Sequence, residues 1–206
     1  GSLVSTLKKV LSWVSVAAVV VTPLGIAATS PLLAWREPIY IAAGFAGVIA
    51  MSLLFVQPLL VGGYLPGLAG LRGRRIHRWV GLMLVVTIVL HVVGLWITSP
   101  PDVIDALLFR SPTPFSVWGV IAMWAAFTAT LLAVLRKRMA KQLTQWRFAH
   151  TLSAAVVVIG SVVHALQIDG TMGTISKIML CLLVMSATLW AIVKLRSWGL
   201  LFRRRS

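Results

Sequence analysis

The chain has 206 residues, of which 59% are apolar and only 11% are charged, and its mean hydropathy is +0.97. A soluble domain carries about 25% charged residues, so this composition excludes a soluble globular protein and favours one embedded in a lipid bilayer. The charge is one-sided, because 19 Lys and Arg residues outnumber four Asp and Glu residues and give a net charge of +15. Such an excess is typical either of nucleic-acid binding or of a cytoplasmic membrane face, and the positions of the charges decide between them.

Six apolar stretches are each long enough to cross the ~30 Å hydrocarbon layer as a helix. In chain order they cover residues 10–29, 39–61, 76–98, 115–135, 148–168 and 174–195. The sequence therefore predicts an all-α integral membrane protein, with a single domain over residues 1–206 built as a bundle of six transmembrane helices.

Two connecting segments carry structural signals of their own. Residues 67–73 are rich in glycine and predict a flexible connector, because their glycine spacing and context fit neither of the common nucleotide-binding loops. Residues 99–110 begin with the helix-start residues Ser99-Pro100-Pro101-Asp102 and have an apolar face. They predict a short helix that lies over the outer end of the bundle.

The charged residues sort by side once the six helices are placed. Sixteen of the Lys and Arg residues fall on the side that holds both termini, whereas the other side receives three together with all four acidic residues. By the positive-inside rule both termini of this multi-pass protein are predicted to lie in the cytoplasm. The membrane itself is expected to be the bacterial cytoplasmic (inner) membrane. The same rule accounts for the net charge, so no nucleic-acid partner is expected.

All four histidines lie within predicted spans and form two pairs of equal spacing, His77-x13-His91 in the third helix and His150-x13-His164 in the fifth. Ionisable side chains are costly at membrane depth and by default mark function. Fourteen residues turn a helix by about 1400°, about 40° short of four turns, so both histidines of a helix face nearly the same way, ~21 Å apart. Because both helices run from the inside to the outside, His77 and His150 share the inner level, and His91 and His164 share the outer level.

Two facing imidazoles are the axial ligands that a b-type haem needs, and the core of a helical bundle is a usual place for such a site. Small residues about one turn from the histidines agree with a flat macrocycle, namely Gly81, Gly94, Ala154 and Gly160. A zinc or copper site usually recruits further ligands, whereas no carboxylate lies within a span and Cys181 is the only cysteine. We therefore predict two bis-histidine haems, with metal transport and histidines that serve only for packing as alternatives.

The tryptophans mark the predicted membrane boundaries. Trp146 is assigned, with three others, to a belt at the inner boundary, whereas Trp124 and Trp190 fall deeper and are predicted to pack inside the bundle. Trp124 and Phe127 lie near mid-depth in the fourth helix, where they either separate the two cofactors or belong to the ordinary core.

Residues around the histidines of both helices form a recognisable motif. The third helix carries Arg74-Arg75-Ile76-His77-Arg78-Trp79 and then His91, and the fifth carries Trp146-Arg147-Phe148-Ala149-His150 and then His164. With these residues the chain resembles the ferric reductase-like transmembrane domain shared by ferric reductases and NADPH oxidases, over essentially all six spans. The resemblance implies two stacked b haems whose irons are bound by histidines, His77 with His150 in the inner haem and His91 with His164 in the outer one.

Basic residues next to the inner level are candidate partners for the haem propionates, although they also fit simple topology signals. These candidates are Arg74, Arg75, Arg78 and Arg147. The same positive face is suited to an acidic flavoprotein reductase.

The resemblance implies an oxidoreductase component that carries electrons from a cytoplasmic flavin- or NAD(P)H-dependent donor to an external acceptor, either ferric iron, a ferric chelate or oxygen. Family members commonly continue into a cytoplasmic dehydrogenase that binds FAD and NADPH, whereas this sequence ends about ten residues after its last predicted span. FAD and NAD(P)H are therefore expected only through a partner or through a dehydrogenase domain outside this sequence.

Two other functions stay open at this point. The chain also resembles the haem membrane subunit that feeds a periplasmic methionine sulfoxide reductase, which is similarly short, although His77 departs from the pattern of that subunit. The second alternative is a non-redox membrane scaffold or transporter, in which the histidines only form hydrogen bonds between helices.

Overall fold

The computed structural model describes residues 2–170 and 172–203, with side chains described up to residue 195. All regular structure in these ranges is helical, and they contain no strand. Two short 3-10 turns accompany seven α-helices, which are α1 (Ser2–Ala28), α2 (Pro38–Gly62), α3 (Gly70–Thr98), α4 (Pro100–Leu107), α5 (Pro114–Leu135), α6 (Leu143–Leu166) and α7 (Thr174–Arg203).

Six of these helices, all except α4, are long and apolar enough to cross a membrane. Each of them overlaps one of the six predicted spans over most of that span, so the prediction of an all-α bundle with six transmembrane helices is confirmed. The short helix predicted within residues 99–110 is α4, where the Ser99 hydroxyl donates a 2.6 Å hydrogen bond to the Asp102 carboxylate. The side of the membrane that each end faces stays a prediction.

Proline and glycine set several of the helix ends. Each of α2, α4 and α5 begins with a proline, whose missing N–H would have no acceptor within the helix at that position. Gly63 ends α2 in the left-handed region at φ 70°. Helix α3 begins at Gly70, so the prediction of a flexible connector over residues 67–73 is wrong for its second half. Arginines are unfavourable within the lipid hydrocarbon, but they are good helix formers. The helix therefore begins before the apolar stretch does.

Five helices form a closed ring around the interior of the molecule. The most extensive packing joins α2 to α3 and α5 to α6. Helix α7 packs between α2 and α6 on one side of the ring, and α3 meets α5 on the other, while α1 lies outside against α2 and α7. Among the described residues, α3 and α6 do not pack closely on each other, although these two helices carry the histidines.

All five ring helices contribute apolar side chains to one buried core. Its members are Met51, Leu54, Phe55, Leu84, Ala126, Val157, Val158, Val162, Leu180, Cys181 and Val184. Cys181 is a free thiol within this core and fills space as a small hydrophobic side chain.

Candidate functional site

The four histidines meet in the interior of the bundle as two pairs. The rings of His77 and His150 have centroids 6.4 Å apart and planes inclined by 72°. The rings of His91 and His164 have centroids 6.3 Å apart and planes inclined by 85°. His91 and His164 are named the outer pair below, and His77 and His150 the inner pair, after the membrane sides predicted for them.

A main-chain hydrogen bond holds each imidazole of the outer pair. His91 Nδ1 lies 2.7 Å from the carbonyl oxygen of Ala43 in α2, and His164 Nδ1 lies 2.7 Å from that of Phe115 in α5. Because a carbonyl oxygen can only accept, Nδ1 carries the proton and donates in both rings. The other ring nitrogen, Nε2, is then unprotonated and can bind a metal.

A glycine one turn after each of these carbonyls makes room for the ring. A Cβ atom built on Gly47 would lie 3.0 Å from His91 Nδ1, and one built on Gly119 would lie 2.7 Å from His164 Nδ1. Both distances are shorter than an ordinary van der Waals contact of about 3.5 Å. Sequence reasoning selected neither glycine, because small residues are common wherever membrane helices pack.

The inner pair lacks hydrogen bonds of this close geometry. The main-chain carbonyls that face His77 and His150 as acceptors belong to Gln57 in α2 and Ala129 in α5. Neither contact reaches the distance and angle of the outer hydrogen bonds, so both buried Nδ1 atoms lack a partner at that geometry. One turn after these carbonyls the chain has side chains in place of glycine, namely Val61 and Ala133.

Aromatic stacking holds one imidazole of the inner pair instead. The indole of Trp146 lies parallel to the His150 ring, with centroids 5.1 Å apart and planes inclined by only 9°. Its Nε1–H donates a 2.6 Å hydrogen bond to the Leu132 carbonyl, and the Arg136 guanidinium lies 5.4 Å from its ring centroid. Trp146, predicted as a residue of the interfacial belt, therefore also contacts the site.

The helix pairs α2–α3 and α5–α6 repeat one arrangement. Positions 43, 47 and 57 of α2 correspond to positions 115, 119 and 129 of α5 at one constant offset, and the two histidines of α3 recur in α6 at nearly the same offset. In each pair, carbonyls fourteen residues apart face histidines fourteen residues apart on the antiparallel neighbour. Each histidine pair is thus built from one imidazole of each repeat.

Each histidine pair offers a metal two imidazoles. Among the described residues no group of three or more His, Cys, Asp or Glu side chains could hold a metal ion. Two axial imidazoles suit haem iron, which already has four equatorial ligands, better than zinc or copper, which recruit more protein ligands.

The spacing within each pair also fits a haem. Metal–imidazole bonds are about 2 Å long and the ring centre lies about 1 Å behind the nitrogen, so imidazoles on opposite sides of one metal have centres about 6 Å apart. The observed separations of 6.3 and 6.4 Å agree with this geometry. The lack of close packing between α3 and α6 agrees with it as well, because a macrocycle between two helices keeps them apart.

Two aliphatic residues lie between the levels of the two pairs. Leu84 and Val157 are each seven residues, or about two helical turns, from both histidines of their own helix, and so face the same way. Both are buried in the core. Trp124 is 54% exposed and Trp190 is 66% exposed, so the prediction that these two pack inside the bundle is wrong. The outside of a membrane bundle is as apolar as its interior, and hydrophobicity does not separate the two locations.

The small residues predicted beside the histidines include two that serve helix packing. A Cβ atom on Gly94 would lie 2.7 Å from the Ala43 side chain, and one on Gly160 would lie 3.0 Å from the Ala122 side chain. These glycines therefore let α3 approach α2 and let α6 approach α5. Gly81 faces α2 near an amide side chain, and Ala154 is half-buried.

The arginines predicted as propionate partners lie within the first ten residues of α3 and of α6, at the same end of the bundle as the inner pair. All four side chains are exposed, namely Arg74, Arg75, Arg78 and Arg147.

A comparison with protein families agrees with this architecture. The model of the family described as ferric reductase like transmembrane component matches residues 43–161, a range that begins at Ala43 and ends three residues before His164. Neither a curated protein nor a solved structure matched the chain. Because the family match covers more than half of the sequence, the chain belongs to the family of ferric reductase-like transmembrane components.

Proposed function

We propose that the protein carries electrons across the membrane from a cytoplasmic donor to an acceptor on the external side. The observation that carries this proposal is the placement of two imidazole pairs at two depths of one helical bundle. Two haem b groups, one at each pair, would supply the one-electron chemistry when bound. Membership of a family whose domains bind haem in general supports the proposal.

In this proposal the histidines would hold the haem irons, His77 with His150 at the inner level and His91 with His164 at the outer level. With two imidazoles bound, an iron would have no position left for a substrate. Such a pair favours relay of electrons over binding of oxygen at the metal. The acceptor, either ferric iron, a ferric chelate or oxygen, would then react at the external edge of the outer level.

The exposed arginines next to the inner pair would bind haem propionates through charge-assisted hydrogen bonds. Arg74, Arg75 and Arg78 lie on α3, and Arg147 lies on α6. The excess of positive charge at this end would also attract an acidic flavoprotein that supplies electrons from FAD and NAD(P)H. Ferric reductase domains usually work with a redox partner, which supports a donor of this kind.

An absorption spectrum of the purified protein tests the cofactor assignment. We expect a Soret band, a sharp α band after reduction, and two haems per chain by the pyridine haemochrome assay. A protein that is folded by circular dichroism but has no Soret band after expression with added haem precursor would contradict the proposal. The histidines would then be structural, as in a scaffold or transporter.

Electron transfer across a bilayer tests the direction and the acceptor. Proteoliposomes are loaded with a reductant, and a ferric chelate is added to the external buffer. We expect ferrous iron to form in the external buffer only when the vesicles contain the protein. Vesicles with the His91→Leu variant serve as the control and should be inactive. If internal reductant reduces the bound haem but the chelate stays ferric, a chelate is not the acceptor, and a periplasmic reductase becomes the favoured acceptor.

A further inference from the structure

The hydrogen bonds to the outer histidines depend on a specific feature of α2 and α5. Each carbonyl inside an α-helix already accepts a hydrogen bond from the N–H four residues later, but its oxygen has a second lone pair. The side chain four residues later lies next to that oxygen. In α2 this residue is Gly47 and in α5 it is Gly119, and a Cβ atom at either position would contact the histidine Nδ1 too closely.

Both helices show this feature independently. The Cε1 atom of His91 would lie 3.1 Å from a Cβ on Gly47, and that of His164 would lie 2.7 Å from a Cβ on Gly119. In both cases the ring that would be contacted is the ring that donates to the carbonyl one turn earlier. A glycine that only allows helices to pack would face a backbone or an apolar side chain, as Gly160 faces Ala122.

The inner level supplies an internal comparison. Its histidines face carbonyls in the same register of the same two helices, but the residues four positions later are Val61 and Ala133. There the carbonyls face the rings, but neither Nδ1 atom reaches close hydrogen-bond geometry. Close hydrogen-bond geometry therefore coincides with glycine across all four histidines.

We propose that Gly47 and Gly119 are positioning residues, which expose the carbonyls of Ala43 and Phe115 so that these hold the imidazoles of His91 and His164. The effect of this hydrogen bond on haem binding rests on the proposed function. A histidine that donates its Nδ1–H to a carbonyl has a fixed ring plane and a more basic Nε2. The outer ligand pair is therefore set by the main chain, in ring orientation and in donor strength, and the inner pair is not.

Alanine variants at these glycines test the proposal. Alanine is the better helix former by about 1 kcal/mol, so its intrinsic propensity cannot cause a loss. We expect Gly47→Ala and Gly119→Ala to weaken outer haem binding by about 10- to 100-fold, the effect typical of lost outer-shell partners. The loss should be larger for Gly119→Ala, because its Cβ would lie closer to the ring. Gly44→Ala is the matched control, since a Cβ there meets nothing within 4 Å.

The readouts separate positioning from packing. Where outer haem is retained, its electron paramagnetic resonance signal and its midpoint potential should shift in both variants, while the inner haem keeps its values. Unchanged outer signals together with a lower melting temperature would overturn the proposal, because the glycines would then only pack helices. Equal changes at both levels would also overturn it.

Failure of this inference can be distinguished from failure of the proposed function. A wild-type protein without haem contradicts the proposed function alone. In that sample, 15N NMR of histidine-labelled protein still reports the Nδ1 hydrogen bonds, and we expect two strongly hydrogen-bonded Nδ1–H groups in the wild type and one fewer in each glycine variant. Identical histidine spectra in wild type and variants would overturn the inference whatever the haem content.

Discussion

The outer and inner histidine pairs use the same two helices, the same spacing and nearly the same ring separation, yet they are held differently. Carbonyl oxygens of α2 and α5 accept close hydrogen bonds from both rings of the outer pair, whereas the Nδ1 atoms of the inner pair do not reach that geometry and one inner ring stacks on an indole. A carbonyl inside a helix cannot move without the helix. The comparison shows that two equal imidazole pairs can be held by different contacts, close main-chain hydrogen bonds in one and a stacked side chain in the other.

The largest expected effect comes from removing a single histidine, which should abolish haem binding at its own level and leave haem binding at the other level intact. We expect His91→Leu to lose the outer haem and His77→Leu to lose the inner one, because the levels are about 21 Å apart along the helices and share no ligand. Haem content and reduced α bands measure both outcomes. Loss of both haems in a variant that still melts cooperatively would show that the levels are not independent.

A smaller effect is expected from Trp146→Leu, which acts on the inner pair alone. The substitution removes the stacking on His150, the hydrogen bond to Leu132 and the contact with Arg136. We expect the free energy of unfolding to fall by about 1–3 kcal/mol. The inner haem signal should shift while the outer signal stays.

Trp190→Leu is the control for this change, because Trp190 is exposed on the outside of the bundle. It should alter neither haem signal. A shift of the outer signal in Trp146→Leu would contradict the assignment of Trp146 to the inner level.

The smallest effect is expected from Lys194→Met, at the same end of the bundle as the inner pair. The ammonium of Lys194 donates a 2.7 Å hydrogen bond to the Gly62 carbonyl and lies 4.4 Å from the Tyr64 ring centroid. Its removal leaves the last turn of α2 without this partner and should cost about 1 kcal/mol, measured by thermal unfolding. Both haem signals should stay unchanged. A selective change at the inner level would mean that the end of α2 controls the position of His77.

Most of the fold could be predicted because length and hydropathy alone define a transmembrane helix. The six spans are examples. The short helix α4 was predictable for another reason, because the helix-start residues at 99–102 mark its first turn. The helix ends could not be predicted equally well, as the start of α3 at Gly70 shows. The apolar pattern indicates which residues lie in the hydrocarbon layer, and it does not indicate where helical hydrogen bonding ends. The outward position of Trp124 escaped prediction for a related reason, since lipid and core are both apolar.

The pairing of the histidines could be predicted because fourteen residues return a helix close to its starting direction. The atoms that hold the outer pair could not, because a main-chain carbonyl has no signature in sequence and Gly47 looks like any small residue of a packed helix. A usable signal was nevertheless present. Positions 47 and 119 are both glycine, and their separation along the chain nearly equals the separation at which the histidines of α3 recur in α6.

The repeated helix pairs have a consequence for the origin and redesign of the protein. Each helix pair, α2–α3 or α5–α6, contributes one imidazole to the inner level and one to the outer level. Each also contributes one glycine-exposed carbonyl to the outer level. Two identical copies of one pair, related by a two-fold axis along the membrane normal, would reproduce all four imidazoles and the main-chain supports of the outer pair. The present chain thus carries one type of hairpin twice in succession, and a single hairpin sequence is a starting point for rebuilding the site as a homodimer.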